Sequence, residues 1–271
     1  MGAAFLIVLR EGIEAALIVG IVLGVLTRLG HTAMKRYVWL GTGGAVALSL
    51  LAGGILYSVG VSFSGRAEEI FEGTTMLTAA ALLTWMIFWM RTHGRQLARQ
   101  LEEETREAIA VGGWALFAVA FVAVLREGLE TALFLVAAIF QTSAFSTLVG
   151  GSLGLGAALL IGVLIFTASL QVNLRTFFNV TGLLLLLVAA GLVAQGIHEF
   201  QEAGIVPVII EHVWNVNPIL DEKSTLGSFL QALFGYNGNP SLLEVLVYAI
   251  YLVVVGVMGK PRDVRTRGLP A

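Results

Sequence analysis

Two short charged motifs lie inside long apolar runs of this sequence. REGIE occupies residues 10–14 between FLIVL and AALIV, and REGLE occupies residues 126–130 between VAVL and TALFLV. On a helix, residues three and four positions apart point to the same side, so each motif presents one arginine and two glutamates together. Such charges cost roughly 3 kcal/mol each when they face hydrocarbon, so they must face one another or a hydrated path.

The charges of the two motifs balance only in part. The set comprises two arginines and four glutamates: Arg10, Glu11, Glu14, Arg126, Glu127 and Glu130. When all are ionised, the set carries two net negative charges, which a bound cation would neutralise. In the alternative interpretation each arginine neutralises the glutamate four positions further on and clamps two helices together. The spare glutamate in each of the two copies favours the metal site.

The available ligand types narrow the choice of metal. Carboxylate oxygens are hard ligands that suit Fe(III), Mg, Ca or Mn. The absence of cysteine excludes thiolate metal sites, and the four histidines lie in or beside connections, which does not support a Glu-x-x-His di-iron site. The string HEFQE at 198–202 lacks the second histidine of a zinc HExxH motif. The residues alone therefore predict a carboxylate-based cation transporter with no permanently bound cofactor.

Helices that could hold these motifs follow from composition. Of the 271 residues, 57% are hydrophobic and 13% charged, against about 45–50% and about 25% in soluble domains. Seven apolar runs are long enough to cross a bilayer, which predicts an all-α polytopic fold with seven transmembrane helices. The runs lie at 3–27, 38–62, 70–90, 112–140, 148–170, 176–197 and 241–258. The net charge of −2 argues against a nucleic-acid partner.

The motif spacing predicts an internal repeat within one integral membrane domain, 1–271. Arg10 and Arg126 are 116 positions apart. Three spans per unit is an odd number, so the two copies must be inverted relative to each other, an arrangement in which transporters place substrate near the midplane. The predicted parts are repeat one at 3–90, repeat two at 112–197, an outer loop at 198–240, a seventh helix at 241–258 and a basic cytoplasmic tail at 259–271.

The distribution of Lys and Arg predicts the orientation. One side has only Arg66 and Lys223, whereas the other collects twelve basic residues: Arg28, Lys35, Arg36, Arg91, Arg95, Arg99, Arg106, Arg175, Lys260, Arg262, Arg265 and Arg267. The positive-inside rule then places the N-terminus outside and the C-terminus in the cytoplasm. The outward connections are acidic, which is typical either of a cation-collecting vestibule or of ordinary solvated loop charge.

Several stretches resemble one known family. REGIE and REGLE in the first and fourth predicted spans are similar to the REGLE motifs of the oxidase-dependent iron transporter family, which includes fungal high-affinity iron permeases and bacterial EfeU-type permeases. The similarity extends over EEIFEG at 68–73, LTWMIFWMR at 83–91, AAGL and QEAG within 189–204, and FGYNGNPSLLEVLVYAIYL at 234–252.

This resemblance implies a high-affinity iron permease of the cytoplasmic (inner) membrane and not an enzyme. Iron would be the transported substrate, in the Fe(III) form generated by a partner oxidase or peroxidase. The resemblance implies that the four motif glutamates bind iron and that the two motif arginines position them, with accessory path positions at Glu69, Glu72, Glu202 and Glu244. For Glu244, a helix-start carboxylate is an equally good structural account.

Implied partners are a periplasmic cupredoxin-like protein and a haem peroxidase, or a ferroxidase. The alternatives are transport of another cation, such as Mn(II) or Pb(II), by the same carboxylates, and a membrane metalloenzyme.

Overall fold

The described part of the chain is entirely helical. A computed structural model describes residues 1–167, 173–222 and 224–259. Within them it forms a short 3-10 turn, Thr32–Met34, and eight α-helices: α1 Gly2–Arg28, α2 Lys35–Ser62, α3 Arg66–Val111, α4 Gly113–Gln141, α5 Ala144–Thr167, α6 Leu174–Glu202, α7 Thr225–Phe234 and α8 Leu242–Met258. The all-α prediction is confirmed. Lys223 and the predicted basic tail from 260 onward lie outside the described residues.

Among the described residues, four helical segments are long and apolar enough to cross a membrane. They are Thr32–Ser62, Arg66–His93, Ala144–Phe166 and Leu174–Glu202. Helices α1 and α4 have 27 and 29 residues, which is also sufficient length, but each contains the three charges of its motif. Helix α8 is apolar and has 17 residues, at the short end of the spanning range.

Helix α3 differs from its sequence prediction. The predicted span at 70–90 and the charged stretch at 91–107 form one uninterrupted helix of 46 residues. The stretch contains no proline, and an isolated glycine inside a helix costs only about 1 kcal/mol. The helix therefore continues without a break from the apolar segment into the charged segment.

The predicted outer loop contains a helix of its own. Helix α7 begins after Ser224, whose side chain accepts a hydrogen bond from the Gly227 amide, and ends at Gly235 in a left-handed conformation. Both are common helix-end signals. The predicted loop at 198–240 is therefore partly helical.

The helices pack in three main pairs. Helix α2 packs along α4, α1 packs along α5, and α3 packs along α6, while α1 and α4 also contact each other. The motif helices α1 and α4 are therefore each covered by one helix from the other half of the chain.

In two of these pairs, glycines allow the two helices to come into backbone contact. A methyl group on Gly41 of α2 would lie 2.5 Å from the carbonyl oxygen of Phe117 on α4. A methyl group on Gly150 of α5 would overlap the carbonyl oxygen of Met1, next to α1. Phe117 lies 116 positions after Met1, the same offset that separates the two motifs.

A second set of close contacts, at the motifs themselves, involves two glycines that are also 116 positions apart. A methyl group on Gly12 would lie 2.7 Å from the Ala158 side chain, and one on Gly128 would overlap the Ser49 hydroxyl. Gly12 and Gly128 occupy equivalent motif positions, and Ser49 and Ala158 lie on α2 and α5. Small residues thus let each motif backbone approach its covering helix closely.

We expect Gly41→Ala to destabilise the protein by about 1–3 kcal/mol, because the Phe117 carbonyl is backbone and cannot rotate away. The matched control is Gly43→Ala on the same helix, where an added methyl group has no neighbour within 4 Å. Thermal unfolding in detergent should show a lower midpoint for Gly41→Ala and an unchanged or higher midpoint for Gly43→Ala. Equal midpoints for the two variants would contradict the close packing of α2 on α4.

Two apolar clusters lie on either side of the motifs. One contains Ile7 of α1 and Phe134 of α4, and the other contains Val22 of α1 and Leu116 of α4. The segment 10–14 of α1 and the segment 126–130 of α4 lie between these clusters along their helices. The polar centre is therefore enclosed by apolar packing above and below it.

Candidate metal centre

Arg10 is almost completely buried, with only 1% of the residue exposed. Its Nη1 donates hydrogen bonds to Glu11 Oε1 at 3.0 Å and to Met86 Sδ on α3 at 3.2 Å. Its Nη2 lies 3.0 Å from Glu14 Oε1. One guanidinium therefore holds both glutamates of the first motif on the same face of α1, as the three- and four-residue spacing predicts.

Glu127 of α4 completes a group of three carboxylates. Glu11, Glu14 and Glu127 each offer one oxygen, and the three oxygens lie within 4.8 Å of one another. Carboxylate oxygens bind divalent cations at about 2.0–2.6 Å, so ligand atoms of one ion lie at most about 4–5 Å apart. All three residues are buried. Two helices from opposite halves of the chain thus bring three hard ligands to the spacing that one cation requires.

The centre contains unused hydrogen-bonding capacity. Among the described residues, Glu11 Oε2 and Arg10 Nε are buried without a hydrogen-bond partner, and Glu14 Oε1 contacts Arg10 only as an ion pair. Buried polar atoms are nearly always satisfied in proteins. Three carboxylates around one buried arginine therefore form an electron-rich, incompletely satisfied site that suits a bound cation.

The second motif adopts a different arrangement from the first. Arg126 Nε donates to Glu130 Oε1 at 3.0 Å, and the guanidinium lies 5.0 Å from the centre of the Trp89 ring. The Arg126 side chain is 38% exposed, against 2% for that of Arg10. Arg126 therefore turns toward α3, and among the described residues Glu127 forms no ion pair within 4.0 Å.

The structure brings together three of the four predicted motif glutamates. Glu130 lies outside the three-carboxylate group, although its Oε2 is buried and has no partner among the described residues. Its role as an iron ligand stays a prediction.

A cavity of about 1290 Å³ connects the centre to one end of the helix bundle. Arg10, Glu14 and Glu127 line its inner part. Its walls follow α1 toward the end of that helix, α3 beyond Ile87 and the beginning of α6. The carboxylate centre is therefore reachable from the end of the bundle at which α1 ends.

The predicted accessory glutamates lie at the opposite end, where α3 begins and α6 ends. Glu69 and Glu72 lie in the first turns of α3, and Glu202 is the last residue of α6. Glu72 interacts electrostatically with Glu202 and with Glu199, a buried residue that is not one of the predicted accessory positions. These carboxylates form an acidic end of the α3–α6 pair, opposite to the end at which the cavity opens.

His198 is a further residue that the sequence analysis did not assign to the site. Its Nε2 lies 3.2 Å from Glu202 Oε1, and its Nδ1 lies 3.1 Å from Glu244 Oε1. The HEFQE string was the available signal, because positions 198 and 202 share a helix face. The histidine ties the exposed end of α6 to the beginning of α8.

Glu244 is engaged through both carboxylate oxygens. Oε1 accepts hydrogen bonds from the Ser241 amide and from His198, and Oε2 accepts one from the Asn237 side chain. With the Ser241 side chain it forms a capping box at the start of α8. These contacts favour the helix-start account of Glu244 over a place on the path.

We expect Glu244→Gln to lower stability by about 1–3 kcal/mol, because the amide cannot satisfy three donors with one oxygen. Iron affinity of the detergent-purified protein should be retained within about twofold, since Glu244 lies outside the carboxylate group. Thermal unfolding and iron titration on the same sample check both parts. Lost iron affinity with unchanged stability would instead assign Glu244 to the path.

Comparison with known proteins identifies the family of this chain. The profile described as "Iron permease FTR1 family" matches residues 1–259. The chain is 40% identical over 256 residues to the protein named "Ferrous iron permease EfeU" of Escherichia coli O6:H1, covering 93% of each chain. It is 39% identical to the protein of the same name from Yersinia pestis, over 93% of this chain and 91% of that one.

A relative named "Putative inactive ferrous iron permease EfeU", from Escherichia coli K12, is also 39% identical over 93% of each chain. No solved structure matches the chain significantly. The family match covers nearly the whole chain, including both motifs, α3, α6 and α8. This chain is therefore a multi-pass membrane transporter, not an enzyme, and belongs to the FTR1 iron permease family.

Proposed function

We propose that this permease moves iron into the cell across the cytoplasmic membrane through Glu11, Glu14, Glu127 and Glu130. The observation that carries the proposal is the buried three-carboxylate group formed by Glu11, Glu14 and Glu127 from two helices. Arg10 positions the α1 glutamates, and Arg126 positions Glu130. Hard carboxylate oxygens without further protein partners suit a hard, transiently bound cation.

The transport architecture in this proposal has seven spans and two inverted repeats. Helices α1, α4 and α8 join the four long apolar segments, because the motif charges of α1 and Glu127 of α4 are buried among the helices. The reciprocal packing of α2 on α4 and of α1 on α5 supports the repeat. The close glycine contacts also support the repeat, because Met1 and Phe117, and likewise Gly12 and Gly128, are 116 residues apart and make equivalent contacts. The centre then lies where the repeats meet, as in other transporters.

The orientation in this proposal places the N-terminus outside. Basic residues concentrate where α1 ends and where α3 continues past His93, and acidic residues concentrate where α3 begins. The positive-inside rule assigns the basic end to the cytoplasm. The cavity opens at this end, so the described conformation is inward-facing under this assignment.

Iron enters this path at the acidic outer end. Glu69, Glu72 and Glu202 gather the cation there, and buried Glu199 lies on the same side of α6 as Glu202. The ion then passes to the carboxylate centre and leaves through the cavity when the repeats rock against each other. Because the carboxylates must be deprotonated to bind metal, affinity should fall as the pH is lowered.

The iron valence separates two versions of this proposal. The family resemblance implies Fe(III) delivered by a cupredoxin-like protein and a haem peroxidase, or by a ferroxidase. The bacterial relatives are named ferrous iron permeases, which favours Fe(II) at the membrane step. Both ions bind carboxylate oxygens, so the valence must be determined by measuring uptake with this protein.

The test is radioactive iron uptake into proteoliposomes that contain this protein alone. Iron is supplied as chelated Fe(III) or as Fe(II) with reductant, and Mn(II) and Pb(II) serve as competitors. Saturable uptake of one valence, absent from empty vesicles and resistant to a tenfold excess of Mn(II), would support an iron permease. Preferential uptake of Mn(II) would contradict the substrate assignment.

A further inference from the structure

The cavity that leads away from the carboxylate centre has a basic mouth. Of the residues that the structure describes, six charged ones line the cavity, four arginines and two glutamates: Arg10, Arg91, Arg99, Arg175, Glu14 and Glu127. The glutamates and Arg10 belong to the centre. The other three arginines come from two elements, with Arg91 and Arg99 on α3 and Arg175 on α6. A path that carries a cation therefore ends among fixed positive charges.

These three arginines have no salt-bridge partner among the described residues. Among the described residues, none of Arg91, Arg99 and Arg175 forms an ion pair within 4.0 Å. All three residues are exposed. Arg91 contacts the Phe88 ring at 5.7 Å, which leaves its guanidinium donors available. The mouth thus presents guanidinium groups without an acidic partner.

The beginning of α6 adds to this positive field. Helix α6 starts at Leu174, next to Arg175, and both residues line the cavity. The Asn173 side chain accepts a hydrogen bond from the Thr176 amide. The remaining first-turn amides keep the partial positive charge of a helix N-terminus, which favours an anion.

An unaccompanied cation would be repelled by this mouth, whereas an anion that binds iron would be attracted to it. Guanidinium groups bind carboxylate and phosphate oxygens in bidentate geometry. The same oxygens are hard ligands for iron. A multivalent oxyanion can therefore neutralise the arginines and offer iron a new set of ligands at the same place.

We propose that Arg91, Arg99 and Arg175 bind a multivalent oxyanion at the cavity mouth, and that this oxyanion receives iron from the carboxylate centre. The binding site stands independently, and the transfer step rests on the proposed iron transport. The cavity, at about 1290 Å³, exceeds the size of usual small-molecule pockets. Its walls include apolar residues such as Ile21 and Phe178. The oxyanion is either a soluble polycarboxylate or phosphate, or the headgroup of an anionic lipid.

Binding is tested by calorimetric titration of citrate into iron-free protein in an uncharged detergent. We expect saturable binding to the wild type, weakened about tenfold by each of Arg91→Gln, Arg99→Gln and Arg175→Gln. The matched control is Arg106→Gln, an exposed arginine further along α3 that does not line the cavity. It should bind citrate as the wild type does. Glu127→Gln should also bind citrate, which keeps this result separate from loss of iron transport.

The lipid source is tested in nanodiscs of phosphatidylcholine with or without phosphatidylglycerol. Stabilisation by phosphatidylglycerol that the triple arginine variant lacks, without citrate binding in detergent, would identify a lipid headgroup as the oxyanion. Absence of both effects, or equal citrate binding by the triple variant and the wild type, would overturn the site.

Transfer is tested by stopped-flow release of iron from preloaded protein. The release rate should saturate with citrate concentration in the wild type, because citrate binds before it takes the metal. In the triple arginine variant the rate should rise linearly. Linear release from the wild type would overturn the acceptor role.

Discussion

Glu127→Gln should weaken iron binding at least about 100-fold and abolish saturable uptake into proteoliposomes while leaving the fold intact. Glu127 supplies the only α4 oxygen in the three-carboxylate group, and the amide keeps its size but loses its charge. Among the described residues Glu127 forms no ion pair within 4.0 Å, so its neutralisation breaks no salt bridge and reduces the repulsion among the clustered carboxylates. Anaerobic Fe(II) titration against a competing chelator and thermal unfolding measure the two effects on one sample.

Matched variants make this result specific. Glu103→Gln changes an exposed glutamate of α3 and should leave binding and uptake unchanged. Glu130→Gln should have a smaller effect than Glu127→Gln, because Glu130 lies outside the group and pairs with Arg126. Normal iron affinity in Glu127→Gln, or equal losses in Glu103→Gln and Glu127→Gln, would refute the carboxylate centre.

Arg10→Met should lower the free energy of unfolding by about 3–5 kcal/mol, because it leaves Glu11 and Glu14 buried without their counter-charge. Arg126→Met should cost no more than about 1 kcal/mol, because that ion pair is partly exposed to solvent. The two substitutions are chemically identical and occupy equivalent motif positions. Denaturant titration of both purified variants measures the difference.

A second substitution separates lost charge from lost packing. The double variant Arg10→Met with Glu14→Gln should recover part of the stability, since it removes one of the two uncompensated carboxylates. No recovery would assign the loss to packing against Met86, and equal destabilisation by Arg10→Met and Arg126→Met would contradict the asymmetry of the two motifs. If Arg10→Met cannot be purified, the yield of the double variant relative to it gives the same comparison.

These two predictions concern different properties of one centre. Arg10 stabilises the empty site by holding two carboxylates together, whereas Glu127 adds the charge that a cation must balance. Stability and metal affinity should therefore move independently in the two variants. A purely structural clamp would make them move together.

The sequence by itself determined the chemistry of this protein. Helical spacing places Arg10, Glu11 and Glu14 on one face of α1, and burial in an apolar run forces such groups to find partners or a cation. The absence of cysteine and the positions of the histidines restrict the ligands to carboxylates. Composition requires a membrane, and the motif pair with its flanking stretches indicated the family that the comparisons establish. All of these follow from the order and types of residues along the chain, without knowledge of which helices pack together.

Only the tertiary structure decided which charges meet. REGIE and REGLE are nearly the same string, but Met86 contacts the first arginine and the Trp89 ring receives the second, so one is buried and the other partly exposed. The spacing within a helix cannot predict this difference, because it depends on which residues of α3 pack opposite each motif. The interactions of Glu199 with Glu72 on α3 and of His198 with Glu244 on α8 depend on helix packing in the same way. The cavity and its basic mouth arise from four helices, α1, α3, α4 and α6, whose relative positions are set by packing and not by any local pattern.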